Sequence, residues 1–448
     1  MIKKLLSFFL VIFCTLLSLS FQFYFSIHSF NDSSAKEYID YLSSDSLKGR
    51  LAGTLENDTA AIYVKNQFER NGLKPYEGSY FQQFDTVSPH KIDGKPYLNV
   101  TDEKGFLIKE YKYGVDYKED LLNFKKNNIS FNNKDNVNFS GEHLQVEKEN
   151  NYFLFYIPEN NKLNFRSSFI HTSPYSMYIM ATKATAKELQ GYLKDNYTIN
   201  CFIPFDTKQA SINNVTAYIE GKDLSAPPLV LSAHFDHIGT DLSGNVYNGA
   251  LDNASGTAFI LEMSKYIKSL GKPERSIIFV AFNAEEFGCL GSKAFVDKYI
   301  NKLNGSEVIN FDMVGTNNAV PLYIMGGRKD TENSPLIKET STICLQNKID
   351  FNYLFEDASD HEYFRKQNID AVTLSDSDTT RIHTPNDKAS SISSKNIDRC
   401  FKVASTEVIK YGFGYNLILL YYKEIFFTSL IGVLFILYMK WKLESDGV

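Results

Sequence analysis

The chain has 448 residues, 43% hydrophobic and 22% charged. That is an ordinary globular balance, with length for two or three domains and at least one large core. The 47 Lys and Arg against 53 Asp and Glu leave a net charge of −6, without the basic excess expected of a nucleic-acid binder. Five cysteines show no CxxC or zinc-finger spacing, so neither a thiolate metal site nor a disulfide pairing can be deduced.

The chain begins with an apolar segment. Lys3 and Lys4 precede an uncharged run from Leu5 to Phe25, so residues 1–28 read as a signal peptide or an N-terminal membrane anchor. Residues 35–87 read as helix, loop, helix. Ala61, Val64 and Phe68 have helical spacing, Gly72 is placed to end that helix, and "LKGRLAGT" holds glycines on either side of Arg50. Residues 88–205 are rich in Asn and Lys, with short strand-like pieces such as "YFLFYIP" and "YSMYIMA". They read as an inserted, mostly β unit without an obvious catalytic cluster.

From Asn214 onward, apolar runs such as "PLVLSAHF" and "SIIFVAFN" alternate with helical patterns. In one of these, Phe259, Met263, Tyr266, Ile267 and Leu270 share a face. This alternation predicts an α/β fold, a central sheet flanked by helices on both faces. Near the end, Ile425 to Met439 is uncharged. Extended back through Leu417, it predicts a transmembrane helix over residues 416–440, with Lys423 and Glu424 snorkelling and Lys440, Trp441 and Lys442 at the interface. Positive flanks at both ends predict cytoplasmic termini and a main body on the extracytoplasmic side, whether periplasmic, extracellular or lumenal.

Charged residues recur where strands end. "AHFDH" holds His234, Asp236 and His237; "GALDNASGTA" holds Asp252; "AFNAEEFG" holds Glu285 and Glu286; "INFDMVG" holds Asp312; "RIHTPND" holds His383. Each alone has an ordinary explanation: a helix cap for Asp252, a solvated turn for the Glu pair, a core histidine for His234. Their recurrence just past strand ends, where α/β sheets collect their sites, is what carries weight. Imidazole and carboxylate donors suit zinc or a similar divalent metal, and the number of donors fits two metals joined by a carboxylate.

The motif order "SAHFDHIG", "ALDNASGTA", "NAEEFGCLGS", "NFDMVG", "SDHEYF", "HTPND" resembles peptidase family M28, the zinc aminopeptidases. The resemblance covers roughly residues 35–85 and 214–412. It implies a mixed central sheet flanked by helices and a catalytic domain formed by residues 35–87 and 212–412, with the insert in the place of the protease-associated domain found in many members. It also implies two Zn2+ ions, held by His234 and Asp312 on one side and Glu286 and His383 on the other, with Asp252 bridging. Asp236 would orient His234, and Glu285 would be the general base. The implied reaction is exopeptidase hydrolysis of a peptide substrate, most simply from the amino end. A carboxypeptidase or another amidohydrolase on the same scaffold is the alternative, with Arg381 a candidate for a substrate carboxylate. A non-catalytic receptor-like membrane protein is a further one. Ile382 stands where many members have a Tyr before the last His, so oxyanion stabilisation would fall to the metals or to another donor. The sequence assigns no oligomeric state.

Overall fold

The computed structural model describes residues 2–445. Its centre is a nine-stranded mixed sheet. The strands Ile277–Phe282, Leu229–His234, Glu307–Phe311 and Asp370–Ser375 lie side by side and parallel. Leu322–Gly326 joins antiparallel to the last of these, and Phe205–Ile219 antiparallel to the first.

Side chains alternate across a strand, and here both faces are covered. Leu229, Leu231, Ala233, Ile277, Phe279 and Ala281 enter one core with Val64, Phe68, Phe259 and Val403. Val230, Ile278, Val280 and Phe282 enter another with Phe295 and Phe364. This explains why these strands read as unbroken apolar runs rather than alternating ones. Each fully buried Val, Leu, Ile or Phe contributes roughly 1.5–3 kcal/mol. Helices Leu55–Arg70, Gly256–Ser269 and Ser394–Phe413 cover the first face, and Leu290–Leu303 the second. Thr54 caps Leu55–Arg70 by accepting from the Asn57 N–H, and Gly72 follows that helix at φ 76°.

The insert leaves and rejoins the body on a long antiparallel ribbon, Phe81–Lys91 against Phe205–Ile219. Beyond the ribbon lie a four-stranded and a five-stranded sheet and the helix Lys183–Lys194. Its core is continuous with the body: Phe124, Phe155 and Phe169 pack in one cluster with Leu51, Ile238, Tyr247 and Phe287. A buried ion pair, Lys118 Nζ to Asp241 at 3.0 Å, crosses the same junction.

Two helices, Ile2–Ser26 and Tyr422–Ser445, are long and apolar enough to cross a membrane. They lie side by side, with Tyr24 stacked on Phe426 at 4.3 Å and Gly432 against the Phe13 ring. The end of the chain departs from the expected 416–440 helix. Leu417–Leu420 is a separate turn capped by Asn416, and Leu419 is buried in the body's core. Leu419 of that turn is spent on the body while Leu417 stays exposed, and the final helix starts at Tyr422. Its 24 residues reach the length a bilayer requires without it.

Candidate metal centre

Four parallel strands end on one rim of the sheet, and the charged residues sit just beyond them. His234 closes its strand, with Asp236 and His237 on the turn after it. Glu285 and Glu286 follow Ile277–Phe282, in a turn entered through Ala284 at φ 56°. Asp312 follows Glu307–Phe311, and His383 lies on the loop after Asp370–Ser375. Asp252 comes from the turn Ala250–Ser255, ahead of the helix that opens at Gly256. That helix has no side-chain cap, so the N-cap explanation of Asp252 does not apply.

The structure brings all seven predicted residues together. Two clusters of donor atoms form, with atoms inside each within 4.8 Å of one another. One is His237, Asp252, Glu286 and His383; the other is His234, Glu285 and Asp312. Asp252 faces both. Its Oδ1 lies 3.5 Å from His234 Nε2, and its Oδ2 lies 3.3 Å from His383 Nε2. His234 Nε2 is also 3.4 Å from Asp312 Oδ1 and 3.9 Å from Glu285 Oε2. His383 Nε2 is 3.2 Å from Glu286 Oε2.

Asp236 is fully buried and serves two neighbours. Its Oδ1 lies 3.6 Å from His234 Nδ1. Its two oxygens accept the backbone N–H groups of Glu285 and Glu286, at 3.1 and 3.2 Å. The carboxylate after one strand thus holds the Glu turn after the next.

The electrostatics separate the two glutamates. Burial pushes the Glu285 carboxyl well above the usual range, reinforced by Glu286, Asp312 and Asp360 and opposed by His234. Burial acts on Glu286 in the same direction, but the charge of His383 and hydrogen bonds from His237 and His383 hold it well below that range. Burial would lower His234, yet the carboxylates Glu285 and Asp312 raise it well above its ordinary value.

Three imidazoles and four carboxylates converge here. Carboxylates packed this closely in a low-dielectric site repel one another strongly without a cation. The donor set is nitrogen and oxygen only, which fits zinc and comparable divalent ions. Two clusters joined by the two oxygens of one carboxylate fit a pair of ions.

Sequence reasoning missed four supporting residues. His237 Nδ1 lies 2.9 Å from Glu286 Oε1; its place in "HFDH" was the available signal. Asp387, in "HTPND", accepts the backbone N–H groups of Leu251 and Asp252 at 2.8 and 3.0 Å. Arg50, in "LKGRLAGT", is fully buried and donates to the carbonyls of Leu42, Phe235, Asn248 and Gly249. It ties together the turns that present His237 and Asp252. Ser168, from the insert, donates to Glu286 Oε2 at 2.5 Å, and no local pattern signals it. Arg381 is held by Asn317 at 2.8 Å and Asp378 at 3.3 Å.

Residues 214–408 match the family model for Peptidase family M28. Aminopeptidase YwaD of Bacillus subtilis is 32% identical over 216 residues, 45% of this chain and 45% of that protein. The chain thus matches under half the length of this curated relative. An aminopeptidase from Aneurinibacillus sp. strain AM-1 superposes with a TM-score of 0.59 at 19% identity, over 86% of this chain and 94% of that one. BSAP, a zinc aminopeptidase from Bacillus subtilis, gives 0.56 at 18% identity, over 86% and 96%. At such identity the two structures speak for the fold, the mixed sheet flanked by helices. The family match and the motif order together make residues 214–408 similar to the domains of peptidase family M28.

Proposed function

We propose that this chain is a membrane-anchored, zinc-dependent aminopeptidase whose centre holds two zinc ions. The observation that carries this reading is Asp252, whose two oxygens face two donor clusters while Glu285 stands at the edge of one of them. His234 and Asp312 would hold one ion and Glu286 and His383 the other, with Asp252 between them. His237 and Asp236 would keep these ligands in place, since ligating groups need outer partners to fix their orientation. When bound, the zinc pair polarises the scissile carbonyl and lowers the pKa of the attacking water. Glu285 accepts the proton of that water and returns it to the leaving amine. Its partial exposure suits a group that must meet substrate.

The carboxypeptidase alternative needs a free cation for the substrate carboxylate. Arg381, the candidate for that role, already has Asp378 and Asn317 as partners, which favours the aminopeptidase reading. The division into a catalytic unit (35–87 and 212–412) and an insert (88–205) agrees with the ribbon that carries the insert.

The two terminal apolar helices would form a paired anchor, with the body on the extracytoplasmic side. Lys440 Nζ lies 3.2 Å from Ser7 Oγ, which puts the basic flanks of both helices at one end. The segment after the first helix packs onto the body: the His28 N–H donates to Ser269 Oγ at 2.8 Å and the Asn31 N–H to Glu262 at 3.1 Å. This supports a retained anchor rather than a cleaved signal.

The test is mass spectrometry of a mixed peptide library incubated with the detergent-solubilised, zinc-loaded chain. Ladders shortened from the amino end are expected. Shortening from the carboxyl end would select the alternative, and intact peptides beside bound zinc would defeat the peptidase reading.

A further inference from the structure

The segment Leu163–Ile170, "LNFRSSFI", belongs to the insert but lies across the metal centre. Four contacts tie it to two of the donors. Ser168 Oγ donates to Glu286 Oε2 at 2.5 Å, and the Phe169 N–H donates to the Glu286 carbonyl at 2.8 Å. The Arg166 N–H donates to the His383 carbonyl at 3.1 Å, and the Phe165 ring stacks on the His383 imidazole at 5.7 Å.

The strap is itself held firmly. Ser167 donates through both its backbone N–H and its hydroxyl to Asp120, each at 2.7 Å, and Tyr156 donates to the same carboxylate. Arg166 is fully buried and donates to the carbonyls of Ile238 and Thr240 at 2.6 and 2.8 Å. The Tyr247 hydroxyl donates to the Asn164 carbonyl at 3.1 Å. These anchors come from the insert on one side and from the loop after His237 on the other, so the strap bridges the two units.

Glu286 consequently has a partner on each oxygen: His237 at Oε1, 2.9 Å away, and Ser168 at Oε2. A carboxylate clamped at both oxygens in a buried site keeps one rotamer, and small misplacements of such a ligand are costly.

We propose that Ser168 is a positioning residue of the metal centre, and that the insert thereby completes the catalytic site instead of merely flanking it. Ser168 orients Glu286 for its metal, and the strap around it fixes His383 from the same side. The inference rests on the proposed metal-binding role of Glu286 and His383, but not on the direction of peptide cleavage.

The experiment compares the full detergent-solubilised chain with Ser168→Ala, Ser168→Thr and a control in the same insert, Ser130→Ala. The Ser130 side chain is exposed, and among the described residues its hydroxyl donates to Asn200 Oδ1 alone. Zinc affinity is read by chelator competition, kcat and KM on a peptide substrate, and folding by thermal unfolding. Ser168→Ala should weaken the affinity for one of the two zinc ions by about 10–100-fold. It should lower kcat with KM nearly unchanged, as expected for loss of an interaction that orients the reacting groups. Ser168→Thr, which keeps the hydroxyl, should restore most of both, and Ser130→Ala should match the parent chain.

Parent-like zinc affinity in Ser168→Ala would overturn the proposal. So would equal losses in the Ala and Thr variants that track a fall in melting temperature, since that is a purely structural role. A parent chain that binds zinc yet cleaves no peptide would defeat the peptidase reading alone, because the zinc affinities still decide the role of Ser168. A chain that binds no zinc at all defeats both.

Discussion

Asp387 holds Asp252 from behind: its Oδ2 accepts the Asp252 backbone N–H at 3.0 Å, and its Oδ1 accepts that of Leu251 at 2.8 Å. The carboxylate that faces both donor clusters therefore sits on a turn fixed by a second, fully buried carboxylate. Replacing Asp387 by Ala removes both acceptors. We expect zinc affinity and kcat to fall by about 10–100-fold, the usual cost of losing such outer support. Chelator competition and steady-state kinetics check this, and wild-type values for both would show that the turn holds its shape unaided.

Glu285→Gln is close to isosteric but cannot accept a proton. Peptide turnover should fall by at least about 100-fold, in line with the weight of general base catalysis. Zinc content, read by elemental analysis, should remain at the parent stoichiometry. Full activity in this variant would move the base to another residue.

Arg50 donates to four backbone carbonyls from a fully buried position. Substitution by Met keeps an unbranched apolar stem, removes the guanidinium and strands those carbonyls. With hydrogen bonds to a charged group worth about 1.5–3 kcal/mol each and an unmet buried acceptor costing about 1–3 kcal/mol, the variant should lose at least about 3 kcal/mol. Chemical denaturation measures this, and a change under about 1 kcal/mol would mean that water replaces the guanidinium.

Glu407 gives a pH dependence away from the metal centre. It is buried on the helix Ser394–Phe413 and accepts from Thr340 Oγ1 at 3.0 Å. Burial pushes its carboxyl up to about 8. The unfolded group titrates near the ordinary glutamate value of 4.5. Between these values the folded chain holds a proton that the unfolded chain has released. Its contribution to stability is therefore fully present below about 4.5 and is lost progressively as the pH rises through about 8. Glu407→Gln should melt higher than the parent chain at about pH 9, with the gap closing near pH 5. A gap independent of pH would remove this carboxyl as its cause.

Removing zinc should lower the melting temperature, because a ligand that binds only the folded state stabilises it by mass action, about 2.7 kcal/mol at a hundredfold excess over Kd. Thermal unfolding with and without a chelator reads the effect. An unchanged melting temperature would count against a tightly held ion between His234, Asp252 and Asp312.

The alternation of apolar runs and helical patterns was enough to read an α/β sheet with helices on both faces, because side-chain period is a local property of the chain. Six of the seven donors, all but His237, were legible for a related reason: a carboxylate or imidazole just past an apolar strand is costly unless something pairs with it. What the sequence could not carry were contacts between residues far apart in it. Ser168 meets Glu286 across 118 positions, and the pairing of Asp252 with both clusters depends on how the loops fold over the rim. The limits of the last helix were also non-local. Leu417–Leu420 is as apolar as the span that follows, but Leu419 finds the body's core and the helix starts afresh at Tyr422. Composition alone set which residues could bind metal and which segments could enter a membrane. Only the tertiary structure decided which of them meet, because burial and hydrogen-bond geometry depend on neighbours that the local sequence does not name.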